Sequence, residues 1–150
     1  MAKGDFRVKD GHRWNARPYF TKAGQTAIKA GELVIQDGSG DEEYVQIPSN
    51  GASTSQIWVG LAVSNDTNSA SADGVVYVVD AIDAEFIGKA TAWANVSKAV
   101  MNTKVTLDVT STVQTLDEDD TTNGVLLMLN FDLNRQEVYF RIDASNRMVS

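Results

Sequence analysis

The chain has no cysteine and only one histidine. The first absence excludes thiolate zinc sites, redox motifs, disulfide staples and cysteine nucleophiles, and it suits assembly in a reducing cytoplasm. The lone His12 stands between Gly11 and Arg13 in a terminal segment that offers no fixed carboxylate and nucleophile around it, so no hydrolase triad is expected. Long apolar runs are missing as well. None approaches the roughly 18 to 20 residues of a membrane helix, and the opening Met1-Ala2-Lys3-Gly4-Asp5 lacks the apolar stretch of a signal peptide, so a soluble, unprocessed chain is expected. The glycine-rich stretch Asp37-Gly38-Ser39-Gly40-Asp41-Glu42-Glu43 ends without the Gly-Lys-Ser/Thr of a phosphate loop and lacks EF-hand spacing. It reads as a hairpin turn carrying solvated charge. Neighbouring carboxylates in the run Asp117-Glu118-Asp119-Asp120 point in different directions, so it too reads as a charged connection. Asp80, Asp83 and Glu85 follow an apolar run and leave two-carboxylate chemistry formally open, but the sequence sets no aromatics and polar donors around them. Neither an enzyme nor a metal or other cofactor is expected.

What the chain does have is strands. The segment 30–79 holds Leu33-Val34-Ile35-Gln36, Tyr44-Val45-Gln46-Ile47, Ile57-Trp58-Val59-Gly60-Leu61-Ala62-Val63 and Gly74-Val75-Val76-Tyr77-Val78-Val79, each bounded by Gly, Asp, Asn, Ser or Pro. Short β-branched and aromatic runs between turn residues predict an antiparallel meander. Gly60, inside a strand, predicts a bulge or a close backbone approach. Segment 81–101 reads as a loop with a short helical turn, in which Trp93 marks an interface or caps the barrel end. Further on, 103–109 alternates cleanly, with Val105, Leu107 and Val109 on one face, and 112–116 repeats the pattern. The last strands are expected over 125–132 and 137–143, joined by the hairpin loop Leu133-Asn134-Arg135-Gln136. The first of them reads as buried on both faces, one of which could lie against a neighbouring subunit. A chain of 150 residues can bury roughly 70% of its unfolded surface in one core without staples. The expected organisation is an extended N-terminal arm at 1–22, an all-β domain at 23–143, built as a small antiparallel barrel or sandwich, and a fraying tail at 144–150.

Charge separates the arm from the body. The net charge is -7, yet residues 1–22 hold six basic and two acidic residues, leaving seven basic against eighteen acidic in the rest. An acidic body repels phosphate backbones, so nucleic-acid binding through it is not expected. The arm carries too many aromatics for a disordered tail. Tyr19 and Phe20 suit a first strand on the barrel, whereas Phe6-Arg7-Val8-Lys9 alternates apolar and basic residues like a strand that adds to another protein's sheet edge.

A cysteine-free all-β domain behind a polar arm, with Ala30-Gly31-Glu32-Leu33-Val34, Trp58-Val59-Gly60-Leu61-Ala62-Val63, Gly74-Val75-Val76-Tyr77-Val78 and Val138-Tyr139-Phe140-Arg141-Ile142, resembles the head decoration (cement) proteins of tailed bacteriophages over residues 23–143. The resemblance implies a virion protein made in the host cytoplasm. It would dock on the outer capsid surface, commonly as a trimer, and hold neighbouring major capsid proteins together. It further implies capsid contacts from the arm: Arg7, Lys9, Arg13 and Arg17 for acidic groups, Phe6, Val8 and Trp14 as apolar anchors. Trp58, Trp93 and Phe131 are expected at subunit interfaces. Two alternatives stay open: a carbohydrate-binding module stacking sugars on Trp58, Trp93 and Tyr77, and an oligomeric tail-tube or head-completion protein.

Overall fold

A computed structural model describes residues 5–9, 15–37, 44–52, 56–81 and 84–147. Eleven strands are formed among them: β1 (Arg7–Val8), β2 (Ala16–Thr21), β3 (Leu33–Gln36), β4 (Val45–Gln46), β5 (Trp58–Ala62), β6 (Gly74–Asp80), β7 (Phe86–Gly88), β8 (Lys104–Thr110), β9 (Val113–Asp117), β10 (Leu126–Asp132) and β11 (Glu137–Ile142). The fold is all-β, as expected, in two curled antiparallel sheets. One has the order β1-β7-β11-β10-β8-β9, the other β2-β6-β5-β3-β4.

Both sheets curl far enough for their ends to meet. In the six-stranded sheet, the Leu116 N–H donates to the Lys89 carbonyl at 2.9 Å and the Thr91 N–H to the Leu116 carbonyl at 2.8 Å, which joins β9 in parallel to the chain just beyond β7. In the five-stranded sheet, Phe20 on β2 forms a parallel bridge with Tyr44 at the start of β4. Two half-barrels result, and closing an edge in this way removes a site of unwanted pairing.

The half-barrels share a wall. β3 and β5 are buried on both faces: Leu33, Ile35, Trp58 and Leu61 belong to the main core with Phe86, Leu107, Leu126 and Phe140, while Val34, Val59 and Ala62 enclose a smaller core with Ile28, Val45, Val76 and Val78. Trp58 and Leu61 are three residues apart, an odd spacing that a regular strand would send to opposite faces. The register explains it: Leu33 opposes Leu61, Val34 opposes Gly60 and Ile35 opposes Trp58, so Val59 is an extra residue. Gly60 permits this bulge because a Cβ there would overlap the Val79 carbonyl oxygen.

Several expectations are corrected. The 30–79 stretch is not a meander: β5 pairs with β3 rather than β4, which lies at the sheet's far end. Segment 81–101 does hold short helical turns, single 3-10 turns at Trp93–Asn95 and Lys98–Val100, but it also holds a strand that was not expected, Phe86–Gly88, between β1 and β11. Within the chain β10 buries one face, that of Leu126 and Met128, while Leu127 and Leu129 are half-exposed. Nor is the tail free as far as it is described. Ala144–Asn146 forms a 3-10 turn, and the Arg147 guanidinium donates to the Ala81 carbonyl at 3.0 Å. The interior of the glycine-rich loop at 38–43 lies outside the described residues; its flanks meet where the Asp37 N–H donates to the Tyr44 carbonyl at 2.9 Å.

The arm, too, is part of the body. β1 pairs with β7, β2 pairs with β6 along its whole length, and Phe6 is buried. The Phe6 ring lies on Gly88, where a Cβ would overlap it, and meets Phe140 edge-on with ring centres 5.5 Å apart. Glycine at 88 makes room for a side chain that arrives from eighty residues earlier in the chain.

A polar clamp joins the sheets across the main core. β4 is two residues long and covers only Ile35 and Gln36, so the Leu33 backbone has no strand on that side. The fully buried Gln114 of β9 takes the strand's place: its Oε1 accepts from the Leu33 N–H at 2.7 Å and its Nε2 donates to the Leu33 carbonyl at 3.0 Å. Gln114→Leu preserves volume but strands both backbone groups, at about 1–3 kcal/mol each. Urea unfolding is therefore expected to show a loss of roughly 2–6 kcal/mol, and an unchanged midpoint would mean that the clamp is dispensable.

Candidate interaction surfaces

The residues expected to touch a capsid fall into four groups. Phe6 is in the core, so it cannot be an exposed anchor, and Val8 is half-buried against the same core. This corrects the docking strand expected at 6–9: the segment adds to its own sheet at β7 instead of a partner's. Arg7 and Lys9 are engaged within the chain. Arg7 pairs with the buried Glu137 carboxylate at 2.9 Å, and Lys9 with Glu85 at 2.9 Å, its ammonium 5.2 Å from the centre of the Tyr139 ring. Arg17 is exposed on β2. Nearby, burial pushes the Tyr19 hydroxyl above its ordinary pKa and the Asp80 charge adds to this, while Arg17 opposes it. Arg13 and Trp14 lie outside the described residues.

The expected subunit contacts divide likewise. Trp58 is fully buried behind the shared wall, which corrects its assignment to an interface and removes it as a sugar-stacking face. Trp93 and Phe131 are brought together, their rings edge-on with centres 6.1 Å apart, both partly buried over the mouth of the main core.

Beside that pair is an open depression of about 500 Å³, between the 3-10 turn Lys98–Val100 and the β10–β11 hairpin. Phe131, Leu133, Met101 and Tyr139 supply its apolar lining, Lys98, Asn130 and Asp132 its polar edge. Leu133 is 70% exposed at the hairpin tip, where a polar residue would cost the fold nothing. Asp132 shapes the turn by accepting the Asn134 and Arg135 N–H groups at 2.9 and 3.1 Å.

A second apolar surface lies on the other sheet. Pro18 opposes Tyr77 and Phe20 opposes Val75, and residues directly opposite share a face. Phe20 is 51% and Tyr77 48% exposed, with the Tyr44 ring 6.3 Å from that of Phe20. Sequence alternation located the strands that carry these residues. It could not show that Leu133, Phe20 and Tyr77 face outward, although a leucine inside a predicted turn was a readable sign.

Carboxylates do not assemble into a catalytic or metal centre among the described residues, where no group of three or more His, Asp or Glu side chains is arranged to hold a metal ion. Glu85 is taken by Lys9 and Arg141, and Asp83 and His12 lie outside the described residues. In the acidic connection, Glu118 is buried, with Oε1 accepting from the Ala92 N–H at 3.0 Å and the Asn95 amide at 3.3 Å. Burial raises the pKa of Asp117, and the charges of Asp120, Glu118 and Asp108 raise it further. The loop therefore packs its carboxylates against the domain as well as displaying them. No helix is long and apolar enough to cross a membrane among the described residues.

No protein-family model matches the chain, and no curated protein matches it either.

The Arg7 and Lys9 pairs are expected to differ in weight. Removing Arg7 leaves Glu137 buried without its cation, whereas the Lys9 pair is solvent-exposed on both sides. Arg7→Ala is expected to cost about 1–3 kcal/mol and Lys9→Ala under about 1 kcal/mol in denaturant unfolding. Equal small losses would return Arg7 to the role of a free binding residue.

Proposed function

We propose that this is a structural virion protein: a decoration protein that binds the outer surface of a phage capsid and holds neighbouring major capsid proteins together without catalysis. The observation that carries the reading is the pair of exposed apolar surfaces on one body, the Leu133 depression on one sheet and the Phe20–Tyr77 strip on the other. A cement must grip two neighbours at once. Two faces on one folded body do so without paying the cost of ordering a long linker, and each needs about 800 Å² of contact to hold a stable partner. The partners are major capsid protein subunits and further copies of this chain, with a trimer favoured. Its place is the capsid exterior after synthesis in the host cytoplasm. An acidic body argues against nucleic acid as a partner.

Since β1 and β2 are built into the sheets, capsid contact in this reading comes from the folded surfaces together with Arg17, rather than from residues 6–9 as a free arm. The test is to mix the purified protein with expanded capsids that lack it, pellet them and count bound copies. Saturable binding at a copy number matching a symmetry position of the shell is expected. Absence of binding, or binding that never saturates, would contradict the proposal.

A further inference from the structure

We infer that the Leu133 depression is a docking site for an extended acidic segment of a partner protein, which adds as a strand to the open edge of β10 and seats an apolar side chain beside Phe131 and Leu133. The inference rests on the capsid reading only for the identity of the protein that bears the segment.

Three observations converge on this face. The first is an unfinished strand edge. β8 pairs with β10 only at Leu126 and Leu127, and the next hydrogen bonds on that side run between Met128 and the chain at 102 and 103. Beyond Met128 no strand covers this edge among the described residues. The Phe131 N–H is taken by the side-chain oxygen of its own neighbour Asn130, at 2.9 Å, in place of a strand carbonyl. Open edges of this kind are templates for strand addition.

The second is the apolar lining along that edge, in which Leu133 is the most exposed large hydrophobic residue among those described. The third is charge. Arg7 and Arg141 stand on the outer face of β1 and β11, with Lys9 and Lys89 just beyond β1 and β7, while Lys98 lines the depression and Arg135 lies two residues past Leu133 in the hairpin loop. Cross-strand register places Arg7, Ile87, Tyr139 and Asn130 in one row of this face. Glu85 is paired with Lys9 and Arg141 and Glu137 with Arg7, which engages those cations too, and Asp132 accepts the turn N–H groups, so the excess positive charge of the face rests chiefly on Lys98 and Arg135 together with Lys89, which donates to the Arg135 carbonyl. Lys98 and Arg135 make no ion pair among the described residues. In a chain of net charge -7, this is a basic face around an apolar seat, complementary to a segment that is acidic at its flanks and apolar at its centre.

The probe is a fluorescein-labelled extended peptide of aspartate and glutamate around a central leucine–phenylalanine pair, titrated with the full chain and followed by anisotropy. Counterparts carry lysine for the acids or serine for the apolar pair. Saturable binding that weakens with salt is expected. It should fall at least about tenfold in the Lys98→Glu/Arg135→Glu double variant and in Leu133→Asp, stay unchanged in Phe20→Ser, and be accompanied by slower hydrogen exchange of the Phe131 amide. Thermal melts of each variant check that it folds. Absence of saturable binding, equal binding of the lysine peptide, or an unslowed Phe131 amide would overturn the inference. Self-association of the chain that the same variants abolish would also overturn it, making a second copy the occupant. Peptide failure with intact capsid binding leaves the decoration reading in place; peptide binding without capsid binding removes that reading and leaves this one.

Discussion

Strands β3 and β5 separate two hydrophobic cores, so each of their residues points into one core or the other; β3 fills both by plain alternation, whereas β5 breaks the alternation once to send Trp58 and Leu61 to the same side. The break is the extra Val59 beside Gly60, where β5 passes so close to Val79 that any side chain would collide with the backbone. With it, Trp58 and Leu61 both reach the main core while Val59 and Ala62 close the smaller one. Without it, either the tryptophan or the leucine would be driven into the smaller core. The remaining strands are arranged around this wall, and Gln114 fastens β9 to the wall's one uncovered stretch of backbone.

This explains why some of the fold was legible in the sequence and some was not. Val105, Leu107 and Val109 alternate because β8 faces the core on one side only, and such strands are read directly from a period of two. Gly60 was readable because glycine in an apolar run has few other uses. Phe6 and Trp58 were not, because an aromatic residue near a terminus or in an apolar strand looks the same whether it fills its own core or a partner's. Deciding between them required Gly88 and Phe140 for the first, and the bulge for the second, both distant in sequence. Strand order was hidden for a similar reason. A two-residue β4 has too little pattern to show that it ends the sheet while β5 returns to β3.

The same geometry places the surfaces. β8 begins at Lys104, opposite Leu127, and the chain before it is bent by the 3-10 turn Lys98–Val100, so β10 runs on past Met128 with no strand on that side and carries the hairpin with Leu133 beyond its neighbour. On the other sheet, β2 and β6 turn one face into the small core and must show the opposite face, with Phe20 and Tyr77, to the outside. The exposed apolar groups thus follow from where β8 begins on one sheet and from which face the small core leaves over on the other. In the decoration role proposed above, their separation onto different sheets would let one body hold two neighbours.

If the body cements by bridging, as proposed, both surfaces must act together. The most direct measurement is the melting temperature of capsids saturated with the wild-type chain, with a variant altered at Leu133, or with one altered at Phe20 and Tyr77. Bridging requires the wild type to raise the melting temperature and each variant to lose that rise even at concentrations where it still coats the shell. A full rise with either surface removed would contradict it.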